Sequence, residues 1–464
     1  MNQRNSIFSP HERRRFRLRA TPFCAALFAL AMTALFSAPA RTHRRMPSIA
    51  PQTTGSAAAV TASDAARRSR RQSLLPARIP PDTTDTSNTD NPTKPTSGRE
   101  ELDPEVERER QRSLAAYMNP LMNNLMSELR VPGAVLAIVR RDRVYLLQGY
   151  GYGELTGRAR VDAIRTRFPV GQISALVTAA AVLHAIDRGQ LDRNVPADAY
   201  LTDALPRPLG KSITINDLLL RNSGLAALSE NGGFASRGEA PGLRDYIRRK
   251  QPAFRRRDTG PSDYEFNLLG YILERSSRLA FADHLNTFFF RGLGMNASGY
   301  EFLGSRSIPD GEAAEWARPY AYGDEAYTAL PVRLFAPAPA LGLSTTGSDM
   351  ARLLVMLSEE GRFGQARLLS ETNAKRMLDT TNDDRFLRPT YYYGLQPLEE
   401  FETSTPGLPA ARRGLVSYGD LPGYSAVVCF IPSREMGLFL ATNSHSPELR
   451  EKVLRGFLER FAFR

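Results

Sequence analysis

Apolar runs of strand length at the two ends of one region, with a long helical stretch between them, set what this chain can fold into. Ala134-Val-Leu-Ala-Ile-Val139 and Val144-Tyr-Leu-Leu-Gln148 predict a β-hairpin turning at Arg140-Arg141-Asp142-Arg143. Strands are predicted again near Gly414–Ser417, Ser425–Ile431 and Gly437–Thr442, some 270 residues later. Helix-spaced Leu114, Met118, Leu121, Leu125 and Leu129 place a helix over Asp103–Arg130 in front of the hairpin. A last helix starts at Ser446-Pro447, a hydroxyl N-cap with proline at the first helical position. Its Leu449, Val453, Phe457 and Phe461 recur every four residues and pack on the sheet. A chain with strands at both ends and helices between them closes one sheet from both termini, which is an α+β domain. Between the two sets of strands, from about Thr166 to Leu378, the sequence is helical and loop-rich.

The chain before this region is different in kind. Of the net charge of +12, residues 1–100 contribute +10, with 16 Lys and Arg against 6 Asp and Glu; the rest holds 45 against 43. The folded part is nearly neutral, which argues against a nucleic-acid surface. Arg13-Arg14-Arg15-Phe16-Arg17 precedes an uncharged apolar run from Thr21 to Ala40 that ends Ala38-Pro39-Ala40. Basic, apolar and small-residue segments in that order predict an export signal over 1–40 and a periplasmic or extracellular protein. The same run, residues 21–40, is long enough to anchor the chain in a bilayer if it is kept. Residues 41–100, rich in Pro, Thr, Ser, Ala and Arg, predict a disordered linker, so folding is expected over 101–464.

The middle of the chain carries ordered fragments of a known pattern. Phe168-Pro-Val-Gly-Gln-Ile-Ser-Ala-Leu-Val-Thr-Ala-Ala-Ala-Val-Leu183 opens a helix; Ile213-Thr-Ile-Asn-Asp-Leu-Leu219 leads to Ser223-Gly224-Leu225. Leu341-Gly-Leu-Ser-Thr345 is followed by Asp349-Met-Ala-Arg352, and Leu421-Pro422-Gly423-Tyr424 by Thr442-Asn443-Ser444. In order and spacing these resemble the β-lactamase-related serine hydrolases, of the class C and penicillin-binding-protein-like type, over about residues 105–463. The resemblance implies a β-lactamase/DD-peptidase-like fold: an antiparallel sheet flanked by helices, with a large helical subdomain.

That resemblance also implies where chemistry would lie, and there the residues differ. The family's Ser-x-x-Lys nucleophile and base fall on Gln172 and Ala175, an amide that cannot attack and a methyl that cannot take a proton. Ser174 invites rescue, yet its i+3 residue is Val177. The family's Tyr-x-Asn falls on Pro261-Ser262-Asp263, with Tyr264 three residues past the tyrosine position and able to serve only if the loop shifts. The family's Lys/His-x-Gly, whose cation holds a substrate carboxylate, falls on Ser417-Tyr418-Gly419, beside Asp420, where an anion is discouraged. His becomes Arg221 in the segment before Ser223. The family's backbone oxyanion donors, at Gln172 and the residue after Gly419, remain available in principle.

The expected cleft residues are therefore Gln172, Ala175, Ser262, Asp263, Tyr264, Ser417 and Gly419, with no catalytic set among them. Two readings stay open: a catalytically inactive binding or scaffolding module, or a serine hydrolase rearranged around Ser262 or Ser417. Other chemistry lacks its residues. The histidines, His11, His43, His184, His284 and His445, have no metal-ligand spacing, and Cys429 is the one cysteine beyond the export segment. No phosphate loop or dinucleotide fingerprint is present, so neither a metal nor a cofactor is expected. A cell-wall peptide or a protein is the expected class of partner, by analogy of fold alone.

Overall fold

The computed structural model describes residues 103–201, 213–225, 233–234, 242–249, 262–300, 315–332, 334–335, 338–379, 393–398 and 414–462. The expected export segment 1–40, the linker 41–100 and Pro261 lie outside the described residues.

The first helix, α1, spans Pro104–Glu128, with Asp103 accepting the Glu105 N–H at its start and proline in its first turn. Strands β1 (Gly133–Arg140) and β2 (Arg143–Glu154) form the expected hairpin, the second strand running further than its apolar residues indicate. Short β3 (Ala159–Arg160) pairs with the end of β2. Helices α2 (Ser174–Asp187), α3 (Asp263–Ser277) and α4 (Gly347–Ser358) come from the middle of the chain. Strands β4 (Gln396–Pro397), β5 (Leu415–Leu421), β6 (Tyr424–Ile431) and β7 (Met436–Thr442) follow, then α5 (Pro447–Phe457).

The sheet runs β4-β5-β6-β7-β1-β2-β3, antiparallel throughout. The two ends of the folded region meet at its centre, where β1 pairs with β7 from Ala134 opposite Thr442 to Arg140 opposite Met436. A strand flanked on both sides and covered on both faces has no solvent face, so its residues are apolar or, like Ser425 and Thr442, hydrogen-bonded where they are polar. That is why Ala134–Val139, all of β6 and all of β7 are buried without alternation. One face packs Val135, Ala137, Phe439 and Ala441 into the core shared with α2, α3 and α4. The other packs Leu136, Ile138, Cys429 and Leu440 beneath α1 and α5. Cys429 is fully buried, and burial pushes its thiol well above the usual range, so it acts as a small core hydrophobe.

The start of α5 departs from expectation in one respect. The Ser446 hydroxyl makes no capping hydrogen bond; instead its backbone N–H donates to Ser425 Oγ at 3.0 Å, which ties the helix to β6. Among the described residues no helix is long and apolar enough to cross a membrane.

Candidate functional site

The site forms where the N-terminus of α2 meets the edge of β5. Gly171, at φ +53, turns the chain into a 3₁₀ turn, Gly171–Ile173, which continues as α2. The β5 backbone comes so close that a Cβ on Gly419 would lie 1.9 Å from the Val170 carbonyl oxygen. Only glycine fits there without moving one of the two elements. From the other side a Cβ on Gly394, itself at φ +85, would lie 2.4 Å from the Leu176 nitrogen. The 393–398 segment is thus pressed onto the backbone of Ala175 and Leu176.

Between these elements opens a cleft of about 290 Å³. Gln172, Asp263 and Ser417 line it, together with Arg221, Gln396 and Tyr418. One residue from each of the three motif-equivalent segments is therefore brought to a common space. The other four expected residues are placed differently. Ala175 is fully buried under the 393–398 segment and offers no surface. Ser262 is 1% exposed and caps α3, its hydroxyl accepting the Tyr264 N–H. Tyr264 is buried too and donates its hydroxyl to the Ile247 carbonyl at 3.0 Å, so its phenol is held away from the cleft. Gly419 contributes close packing through its backbone. These four do not line the cleft.

The decisive contact lies across the mouth of the 3₁₀ turn. The Asp420 N–H, the residue after Gly419, donates to Gln172 Oε1 at 3.1 Å. The donor that the sequence leaves available to a ligand carbonyl is occupied by the protein's own side-chain carbonyl. An amide is planar, so with Oε1 on Asp420 the Gln172 NH₂ group is directed elsewhere, and Gln172 is half-buried at the cleft wall.

The charges also sit otherwise than the linear sequence suggests. Asp420 does not face the cleft as an anion. Its Oδ2 accepts from Arg450 Nη1 at 2.7 Å and its Oδ1 from Ser425 Oγ at 2.9 Å, on the α5 side of the sheet. Arg450 lies over the Tyr418 ring at 4.5 Å. Alternation along β5 explains the split: Ser417 and Asp420 are three apart and point to opposite faces. Asp263 brings a half-buried carboxyl group to the cleft, its side chain 39% accessible, with Oδ1 3.5 Å from Arg221 Nη2. Burial pushes this carboxyl above the usual range, partly offset by Arg221. Arg221 is itself buried, lies over the Phe266 ring at 4.7 Å and has φ +52.

Behind the cleft a polar network holds the frame. Ser174 Oγ donates to the Gly171 carbonyl at 2.6 Å and accepts the Leu343 N–H at 2.9 Å. Its carbonyl accepts the Tyr300 hydroxyl at 3.0 Å. Ser174 is fully buried, and its hydroxyl is engaged as both donor and acceptor within the frame. Glu265 accepts from the Ser223 hydroxyl, the Ser223 N–H and the Ser262 N–H. Burial raises its pKa to about 7 against those hydrogen bonds and Arg221. Sequence reasoning missed Glu265, Gly394 and Gln396, and no local pattern singles them out. His184 and His284 lie far along the helical part, buried, and burial pushes His284 down to about 4. Among the described residues no three His, Cys, Asp or Glu side chains are grouped to hold a metal.

Residues 118–459 match the protein family described as Beta-lactamase. Over 348 residues the chain is 23% identical to a β-lactamase of Escherichia coli (strain K12), covering 70% of this chain and 87% of that protein. It is 25% identical to PbpX of Bacillus subtilis (strain 168) over 39% of its own length, and spans only 44% of that relative. The octameric penicillin-binding protein homologue from Pyrococcus abyssi superposes with a TM-score of 0.60 at 20% identity, over 74% of this chain and 77% of that one. At that identity the superposition speaks for the fold.

Proposed function

This chain belongs to the β-lactamase family, and we propose that it keeps the family's cleft as a binding module without acyl-transfer chemistry. One observation carries the reading. Gln172, at the nucleophile's position, holds the Asp420 N–H with its own carbonyl oxygen, where a substrate carbonyl would otherwise be polarised. Two further features support it. Ala175 is a buried methyl where a base is needed, and Ser417 brings a neutral hydroxyl where a cation is needed. In serine hydrolases loss of the nucleophile or base alone lowers turnover by on the order of a million-fold.

A second reading, hydrolysis through Ser417, rests on that residue's place in the cleft wall. Among the described residues no histidine or lysine lines the cleft, so the base it would need falls to the Asp263 carboxylate. The two readings separate on the intact mass of the protein after long incubation with a penicillin and with a fluorophosphonate. An unchanged mass supports the binding module. A stoichiometric shift mapped to a serine overturns it and names the nucleophile.

The module acts outside the cytoplasm, on the pattern of residues 13–40, with a cell-wall peptide or a protein as its partner. Sequencing the N-terminus of the protein from the periplasmic or culture fraction tests this. Release near Ala40 is the expected result. Retention of residues 21–40 in a salt-washed membrane pellet replaces it with the anchored form.

A further inference from the structure

The charges around the cleft point to a ligand of definite sign. A penicillin-type site, as the resemblance describes it, presents a cation to a carboxylate. Here Ser417 takes that position, and the neighbouring Asp420 carboxylate is turned to the opposite face and paired with Arg450. What remains in the wall is a pair of charged residues, Asp263 and Arg221, of which Asp263 has the more accessible side chain. Its side chain is 39% exposed, and the approach of Arg221 to Oδ1, at 3.5 Å, is longer than a charge-assisted hydrogen bond. Arg221 is committed to the wall, 7% exposed and laid over Phe266. Among the described residues, no hydrogen bond other than this approach engages the Asp263 carboxylate. Around it lie groups that recognise neutral polar atoms: the Gln172 amide, whose NH₂ is released by the Oε1 contact with Asp420, the Ser417 hydroxyl and the Gln396 amide.

We propose that the cleft binds a small ligand, or the end of a longer one, through a protonated primary amine seated on the Asp263 carboxylate, with the amides and Ser417 holding neutral polar groups beside it. The proposal rests on the non-acylating reading and reverses the charge preference that the family resemblance implies. A volume of about 290 Å³ is at the small end for ligand pockets, which suits a single sugar or one or two peptide residues. An ammonium on a part-buried carboxylate forms a charge-assisted hydrogen bond, about twice as strong as a neutral one. An anionic ligand meets Asp263 with like charge and finds Arg221 covered.

Titration calorimetry of the full chain tests this with four probes. These are alanyl-alanine amide, glucosamine, N-acetyl-alanyl-alanine amide and the N-acetyl-alanyl-alanine carboxylate. Saturable binding is expected of an amine probe and not of the acetylated ones; whichever amine binds more tightly tells a peptide source from an amino sugar. Asp263→Asn is expected to weaken the amine at least about tenfold, a change of about 1.4 kcal/mol, at an unchanged melting temperature. Should that variant unfold, Ser417→Lys serves instead. It restores the cation and is expected to abolish amine binding and admit the carboxylate. Equal binding of amine and acetylated probes, preference for the carboxylate in the unaltered protein, or no saturable binding by either amine overturns the proposal. The mass experiment with penicillin and fluorophosphonate fails or succeeds independently, so a wrong ligand class is distinguishable from a wrong view of the chemistry.

Discussion

The interior of α2 and the turn that leads into it contrast sharply. Within the helix Ser174 and Thr178 are buried polar residues with every group engaged: Ser174 with Gly171, Leu343 and Tyr300, Thr178 with the Pro339 carbonyl at 2.7 Å. In the turn, Gln172 is half-buried and lines the cleft, while Ala175 one turn on is as buried as Ser174. Gln172 and Ser174 belong to one short sequence, so the difference between them is one of constraint. A buried hydroxyl that loses its partners leaves unsatisfied groups in a region water cannot reach, at about 1–3 kcal/mol each. A cleft side chain faces solvent and is replaced at little cost to folding.

The sharpest way to break this contrast is to put the base back. Ala175→Lys places an amine in a fully buried position against the 393–398 backbone. It is expected to destabilise by about 3–5 kcal/mol, the loss seen when a buried charge has no partner, measured by denaturant unfolding. Adding Gln172→Ser to it is expected to leave hydrolysis of a chromogenic cephalosporin far below that of an intact relative, because Pro261 and Ser417 remain where the resemblance implies a tyrosine and a cation. Near-relative turnover in the double variant would show that the cleft side, too, had stayed constrained.

Glu265 gives a pH-dependent version of the same question. Burial holds it at about 7 in the fold, against 4.5 as its ordinary value. The folded state thus keeps a proton that the unfolded chain has already lost, so stability falls as pH rises through this window. The contribution is complete below 4.5 and gone above 7. Over that window the protein is expected to lose on the order of 3 kcal/mol relative to its Glu265→Gln variant, read from melting or urea curves at several pH values. A flat difference between the two would mean that the Ser223 and Ser262 hydrogen bonds keep the carboxylate ionised.

Smaller effects test the helix interior and the turn before it directly. Ser174→Ala removes the acceptor for the Leu343 N–H and is expected to cost about 1–3 kcal/mol. Gln172→Ala removes one part-buried hydrogen bond and is expected to cost about 1 kcal/mol or less, while exposing the Asp420 N–H. A larger loss from Gln172→Ala than from Ser174→Ala would invert the comparison and make Gln172 a structural residue.

Much of the frame was legible before any coordinates. Continuous apolar runs such as Ala426–Ile431 have no polar face to offer water, which is the pattern of a central strand. The order of the fragments from Phe168 to Ser444 placed the three motif segments. The cleft was less legible. Ser262, Asp263 and Tyr264 are adjacent in sequence, yet one caps a helix, one faces the cleft and one packs on Ile247. A helix start rotates successive side chains by about 100°, and only knowledge of its phase separates their roles.

By itself the sequence determined that both ends of the folded region share one sheet, and the resemblance it carries sets Gln172, Ala175 and Ser417 where a nucleophile, a base and a cation are expected. Those are statements about side-chain chemistry and periodicity, which need no neighbours. The tertiary structure decided that Gln172 holds the Asp420 N–H, that Asp420 is turned away to Arg450 and that Asp263 brings a half-buried carboxyl group to the cleft. Gln172 and Asp420 are 248 residues apart. A hydrogen bond has a range of about 3 Å, so whether two such distant groups meet is settled by packing, and no local pattern in the chain records it.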